Sequence, residues 1–465
     1  MGQKIAILSS YFQGESYGVL GPQMAATVIQ NHTPYECIVI ALSHGDDKTL
    51  LKKSLAFYFG KERPIVAFST LSGREDLFTF ALELKKEGVM TFLAGPQADS
   101  DYSGEIGWMD HTHRFKGFSE NFTFSLHGPA EQAISLLEGI GSNEWQKTPG
   151  LLYRGKDGRI IRNPGKVWNE AYMRKVRWDN LYRVTQEGLQ PLKISVGQVL
   201  QQIGCPHAAR ERCVEIDYPA LFERRKERTI KVSSKGCSFC DVAADKGFYG
   251  ELGMETVLGQ INGLPEDRDG RKIPFELINE NSLPRLPLLL RSAKEREVRL
   301  SQVNLILRAD WFLKGEKKCR EALELARAMD VEILLASVGF EAFDDRLLRN
   351  FHKGLDVETN LNAIRLMRRL KDEFPMNWKY SREDGAIHGL IHPTPWDTRE
   401  AFANIQKNIA IYGLNTDILP EHSTPLIIHH ASCLGDWIRE VEERENIRFK
   451  RYGSVIGWWE STETR

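Results

Sequence analysis

The chain has 465 residues, too many for one ordinary core and enough for two or three domains. It is 42% hydrophobic and 27% charged with a formal net charge of −1, a globular balance that excludes a whole-molecule field drawing nucleic acid or an anionic membrane. No apolar run approaches the roughly 20 residues of a membrane span. The opening MGQKIAILSSYFQGE predicts no signal peptide, and Ala6 stands where a myristoylation signal wants serine or threonine.

From the N-terminus, KIAIL, ECIVIAL, PIVAFST and MTFLAGP read as buried parallel strands, being near-continuously apolar. Between them GPQMAATVIQN, KTLLKKSLAFYFG and REDLFTFALELKKEG read as helices. This alternation predicts a doubly wound, Rossmann-like α/β domain over residues 1–142. Its ligand would sit at the carboxyl ends of the strands, in SSYFQG, FSTLSG and LAGPQA, where small residues let a backbone approach closely. Each of these also reads as a tight turn. GLLYRGKDGRIIRN, residues 150–163, predicts a hairpin around Asp157-Gly158. It opens a mixed connector over 143–228, whose charged end, RERCVEIDYPALFERRKER, reads as a solvated helix face.

From residue 229 strand–helix units resume. TIKVSS, IPFELIN, QVNLILR, VEILLASVGF and AIHGLIH are the strand candidates, and METVLGQING, LPLLLRSAKE, KKCREALELARAM, DVETNLNAIRLMRRLKDEF and TREAFANIQKNIAIYG the helices. They predict a full or partial β/α barrel over 229–420, with its active site at the strand C-terminal ends. The segment 421–465 shows no clear pattern and is rich in aromatics, including Trp437, Trp458 and Trp459, which suits a cover.

There are seven cysteines, an odd number in a large chain, which argues against a disulfide framework and for a reducing, cytoplasmic setting. Cys205, Cys213, Cys237 and Cys240 fall close together in sequence. Cys237 and Cys240 follow TIKVSS directly, at the expected barrel mouth. A Cys-x-x-Cys pair alone suits half a zinc site, a redox pair or part of an iron–sulfur site. Phe239 before the second cysteine, Gly236 before the first and Asp241 after the pair narrow the choice.

SSKGCSFCD resembles the cluster-binding start of the radical S-adenosylmethionine (SAM) family. LILRAD, SVGFEAFDDRLLRNFHKGLDVETNLNAIRLMRRLKDE and GLIHPTPWDTREAF resemble that family's third, fourth-to-fifth and sixth strands, in the family's order. LAGPQA and FSLHGPAEQAISLL are similar to segments of the subgroup in which a cobalamin-binding-type domain precedes the barrel. The resemblance implies a 4Fe-4S cluster that generates a 5′-deoxyadenosyl radical from SAM, and a reductant such as a flavodoxin or ferredoxin. It implies a cobalamin-type site at Ser69, Gly95 and Pro96, with methyl transfer if methylcobalamin is bound. It also implies that Phe239 packs on the adenine, Glu280 accepts from the amino group, Arg308 pairs with the carboxylate and Glu341 bonds the ribose or substrate. Each of the last three reads equally as a barrel-mouth salt bridge.

Two positions depart from the family. Ser233 stands where its first cysteine is usual, so a third thiolate must come from elsewhere; the reading favours Cys205, in a Gly-Cys-Pro turn, with Cys213 the alternative. The lower axial histidine motif for cobalt is missing, since His44 has no Asp two residues before it. Cobalamin therefore stays open, and so does a radical SAM enzyme with an N-terminal domain that carries none. A structural zinc site on a non-catalytic barrel is the alternative of another class. His388 and His392, four apart on a strand and so ~13 Å from one another, do not share an ion. No phosphate-loop or dinucleotide fingerprint is present.

Overall fold

Strands as apolar as ECIVIAL leave no face for water, so they must be covered on both sides by helices. The computed structural model, which describes residues 3–12, 14–17, 19–70, 74–98, 119–165, 168–222, 228–240, 248–416, 423–452 and 455–464, has this arrangement in its first unit. Strands β1 (Lys4–Ser10), β2 (Glu36–Leu42), β3 (Ile65–Ser69), β4 (Met90–Ala94) and β5 (Phe124–Leu126) are joined by β6 (Leu151–Arg154), β7 (Ile160–Arg162), β8 (Leu181–Thr185) and β9 (Gly188–Pro191). They form one sheet in the order β7-β6-β5-β4-β3-β1-β2-β8-β9. The middle, from β5 to β8, is parallel; Ile7 of β1 faces Val39 of β2 and Ala67 of β3. The edges are antiparallel.

The helices Leu20–His32, Lys48–Phe59 and Glu75–Lys86 fall between the first four strands. Asp47 caps the second, accepting from the amides of Thr49 and Leu50. Phe68, Phe80 and Phe122 are fully buried in this core, Phe68 and Phe122 edge to face at 5.4 Å. The predicted 150–163 hairpin forms as β6–β7 and extends this sheet, and β8–β9 extends the other edge. The stretch read as a connector thus supplies the antiparallel margins of a parallel sheet. By contact density the first unit is Met1–Gln198, Glu255–Pro265 and Arg451–Ser454, and the second Val199–Met254, Glu266–Lys450 and Val455–Arg465.

The second unit begins within β10 (Gly197–Leu200), at Val199, and contains β11 (Gln202–Gly204), β12 (Glu211–Asp217), β13 (Thr229–Lys235), β14 (Phe248–Glu251), β15 (Phe275–Ile278), β16 (Gln302–Arg308), β17 (Glu332–Gly339) and β18 (Trp378–Lys379). Its main sheet has the order β10-β15-β16-β17-β18, parallel from β15 to β18. Helices Leu286–Glu295, Glu316–Met329 and Val357–Glu373 follow β15, β16 and β17. Asp356 caps the last of these through the Thr359 amide.

TIKVSS, expected as the first strand of that sheet, belongs elsewhere. As β13 it pairs antiparallel with β12 along its whole length, from Glu211↔Lys235 to Asp217↔Thr229, in a separate two-stranded ribbon. The reason is its alternation: Ile230 and Ser234 are buried, Lys231 and Ser233 exposed, a one-sided strand rather than one covered on both faces. RERCVEID is likewise a strand and not a helix face, with Val214 and Ile216 buried two apart between exposed neighbours. The tail also has structure. Helix Cys433–Glu445, capped by Ser432, buries Leu434, Trp437, Ile438 and Val441 at helical spacing. Among the described residues no helix is long and apolar enough to cross a membrane.

Trp378 is fully buried, stacks on Phe312 at 5.8 Å and donates its indole N–H to Met367 O. Trp378→Ala is expected to cost about 3–5 kcal/mol of stability through the cavity it leaves, read by urea denaturation of the second unit's transition.

Candidate functional site

Gly236 closes β13 with φ +78°, a left-handed turn that suits glycine. The chain then makes a tight loop in which the Cys240 amide donates to Cys237 O at 3.2 Å, bringing the two half-buried cysteines onto one turn. Ser238 between them is fully buried and fastened three ways. Its hydroxyl donates to Asn350 O at 2.7 Å, its amide to Phe351 O, and its carbonyl accepts from the Leu434 amide at the start of the tail helix.

Cys205 follows the short strand β11 and precedes the 3-10 turn Pro206–Ala208. The ribbon returns the chain to this point: six residues after Cys205, Glu211 pairs with Lys235, two residues before Cys237. Ala208 lies against Gly236, where an added Cβ would stand 3.4 Å from the Ala208 Cα. The Cys205 thiol is pushed up to about 11, first by burial and then by the charges of Glu280 and Cys237. Cys213 is not brought in: it faces Ser233 across the ribbon and is exposed. Ser233 is four residues from Cys237, roughly 13 Å along an extended strand. Asp241 lies outside the described residues.

The ends of β15, β16 and β17, and the turn after helix Asp345–Asn350, supply the charges around Cys237. Arg308, 6% exposed, donates from Nη1 to the Cys237 sulfur at 3.6 Å, from Nε to Asp310 at 3.1 Å and from Nη2 to Lys353 O, and its guanidinium lies over the Trp311 ring at 4.9 Å. Lys353, 3% exposed, donates to Gly339 O at 2.6 Å and pairs with Glu341 at 2.7 Å. A Cβ on Gly339 would stand 2.5 Å from the Lys353 Nζ and 2.8 Å from a Glu341 oxygen, so a side chain there would push the ends of this pair aside. Glu341 itself is left-handed, at φ +59°.

Glu280 is an exposed residue two past β15, yet protein around its carboxyl pushes its pKa up; Lys353 and Arg308 oppose this and Glu341 adds to it. Cys237 is also raised by burial, against the pull of Lys353 and Arg308. Phe239 packs edge-on against Phe351 at 5.5 Å. The sequence reading missed Lys353 and Ser238. Their partners come from loops far along the chain, and His-Lys-Gly or Cys-Ser-Phe gives no local sign of them.

His388 and His392 are each held by protein partners. His388 is buried between the Val338 amide and Tyr380 O, which makes it a neutral ring with the proton on Nε2. His392 pairs with Asp397 at 2.8 Å. Among the described residues no three His, Cys, Asp or Glu side chains stand close enough to hold one metal ion. A single zinc draws every ligand within about 2.3 Å of one centre, whereas the thiolates of a four-iron cluster bind different irons and stand farther apart.

In the first unit, Gly95 (φ +71°) packs directly on Ser69 at the ends of β4 and β3, with exposed Pro96 beside it. Near the same strand ends, the hydroxyls of Ser10, Thr70 and Ser125 are buried with no hydrogen-bond partner among the described residues, as are the Ser16 hydroxyl and both amide atoms of Gln23 elsewhere in the unit. Buried polar atoms are rarely left unpaired, so the strand-end hydroxyls suit a polar ligand rather than an apolar one.

Because the Glu280 pKa is raised on folding, the native state binds more protons there than the unfolded one, and stability is lost as pH rises through the folded value. Glu280→Gln is expected to raise stability of the ligand-free protein at pH 7, with the gain vanishing below about pH 4, the ordinary glutamate range. Denaturation midpoints at the two pH values check this.

No protein-family model matches the chain, and no curated protein matches it by sequence. Among solved structures it is similar to the cobalamin-dependent SAM radical enzyme OxsB with aqua-cobalamin and SAM bound, at a TM-score of 0.63 and 11% identity. OxsB with aqua-cobalamin alone and the apo enzyme give 0.59 and 0.60, at 11% and 12% identity. Each match covers 98% of this chain and 64% of the OxsB chain, so the chain spans under two thirds of that enzyme's length. The chain has the mixed α/β fold of a cobalamin-dependent radical SAM enzyme.

Proposed function

We propose that the chain is a radical SAM enzyme that holds a 4Fe-4S cluster on Cys237, Cys240 and Cys205. The observation that carries this reading is the ribbon closure, which brings a sequence-distant thiol into the electrostatic field of Cys237. The residues offer the group three half-buried thiols, one of which accepts from a guanidinium; burial holds Cys205 and Cys237 toward the thiol form, so the metal itself would have to draw them into thiolates. When bound, the cluster supplies the electron that cleaves a carbon–sulfur bond of SAM and yields the 5′-deoxyadenosyl radical. Around it, the chain's own residues bind and orient. In this proposal Glu280 accepts from the amino group of SAM, Glu341 bonds the ribose, Phe239 offers an aromatic edge to the adenine, and the second unit is a β/α barrel with this mouth.

Cobalamin in the first unit belongs to the same proposal. It is supported by the unpaired strand-end hydroxyls of Ser10, Thr70 and Ser125, by that unit's parallel strand order β5-β4-β3-β1-β2, whose strand ends suit a ligand, and by the aqua-cobalamin bound to OxsB. No Asp-x-His motif offers a protein ligand to cobalt from below. The reaction proposed is hydrogen abstraction from an unactivated carbon; a methylated corrinoid, if held by the first unit, would supply a methyl group to the carbon radical by homolysis of its cobalt–carbon bond. The setting is cytoplasmic, with a flavodoxin or ferredoxin as reductant. The zinc alternative loses support because a four-cysteine site would need Cys213, which stands off on the exposed face of the ribbon.

Cys237→Ala, Cys240→Ala and Cys205→Ala are each expected to reduce iron uptake on anaerobic reconstitution to background, while Cys213→Ala keeps the wild-type content and its brown absorption. Iron analysis reads the outcome. Loss of iron from Cys213→Ala alone would overturn the choice of third ligand.

A further inference from the structure

We infer that Arg308 tunes the cluster's reduction potential by donating an N–H to the Cys237 thiolate, rather than serving as a fork for a ligand carboxylate. The inference rests on the cluster reading above. Three of the guanidinium's N–H groups are committed, to the Cys237 sulfur, to Asp310 and to Lys353 O, and its face lies over Trp311. The side chain is almost wholly buried, so this orientation is set by packing and not by solvent.

The charges facing Cys237 come from several elements. Arg308 and Lys353 are positive, and Glu341 and Glu280 negative. Lys353 is paired directly with Glu341, which leaves Arg308 as the cation that points at sulfur. Asp310 sits on the opposite edge of Arg308 and shares its other oxygen with exposed Lys314. One-electron reduction adds a negative charge to a cluster and its thiolates. A hydrogen bond and a positive charge at a ligand sulfur stabilise that reduced form more than the oxidised one, and so raise the potential. Asp310 draws on the same guanidinium and adds a negative charge nearby, so it acts in the opposite sense.

The test is a redox titration of the reconstituted full-length protein, followed by electron paramagnetic resonance, with iron content measured on every sample. At a fixed poise, Arg308→Met is expected to lower the ratio of reduced to oxidised cluster about tenfold, the change that 59 mV makes in a one-electron couple. Arg308→Lys, which keeps the charge and loses the fork, is expected to fall between it and wild type. Asp310→Asn is expected to raise the ratio. Opposite shifts from neighbouring substitutions are not produced by a loosened fold, and the Lys and Asn variants keep the test decisive if Arg308→Met does not retain iron. Iron-replete variants that all titrate with the wild-type midpoint would overturn the inference alone. A wild-type protein that takes up no iron would overturn it together with the cluster reading.

Discussion

The antiparallel pairing of Glu211–Asp217 with Thr229–Lys235 is the constraint on which the site depends. A cluster-binding loop ordinarily gathers its thiolates from neighbouring residues, so that local chain geometry alone holds them. Here the local loop offers two cysteines, and Ser233 stands where the family usually has a third. In the proposed cluster the ribbon would replace a covalent neighbour with a cross-strand one. Its backbone ladder brings the chain ends beside Cys205 and Cys237 together, and the contact of Ala208 with Gly236 seals them. Closing such a loop costs entropy that grows only slowly with its length. A regular ladder of paired backbone groups, with Val214, Ile216 and Ile230 buried beneath it, offsets that cost.

The cysteine turn is anchored from outside as well. Ser238 ties it to the Asn350–Phe351 segment and to the tail helix, whose own cap and buried Trp437 hold that helix in place. Behind it, Lys353 serves two neighbours at once: its ammonium orients Glu341 and its carbonyl orients Arg308. The left-handed backbone at Glu341 costs roughly 1–2 kcal/mol. That strain, and the missing side chain at Gly339, are what let a carboxylate and an ammonium meet beside a cysteine in nearly dry surroundings. The mouth is therefore a network in which few groups can be exchanged independently.

Much of the fold was legible from local pattern. Unbroken apolar strands such as ECIVIAL announce burial on both faces, and Asp47, Asp356 and Thr398 mark helix starts that the structure keeps. Where charge and apolar residues alternate, local pattern misled. RERCVEID carries a charge at enough positions to pass for a wet helix, although Val214 and Ile216 have strand spacing. Leu434, Trp437, Ile438 and Val441 have helical spacing, but aromatics scattered through the rest of the tail hid it. Glu280, Arg308 and Glu341 were readable as residues at or just past ends of main-sheet strands, whereas the cysteine pair was readable only as a Cys-x-x-Cys loop, since the strand before it lies in the ribbon. Lys353 and Ser238 were not, since what makes them matter is a partner brought near only by the folded chain.

Mössbauer spectroscopy of protein reconstituted anaerobically with iron-57 tests most directly whether a remote thiol joins the adjacent pair and leaves one iron without a protein ligand. A four-iron signal in which a single iron subsite changes on addition of SAM is the expected result. A colourless protein carrying one zinc, or a cluster whose spectrum is indifferent to SAM, would contradict it.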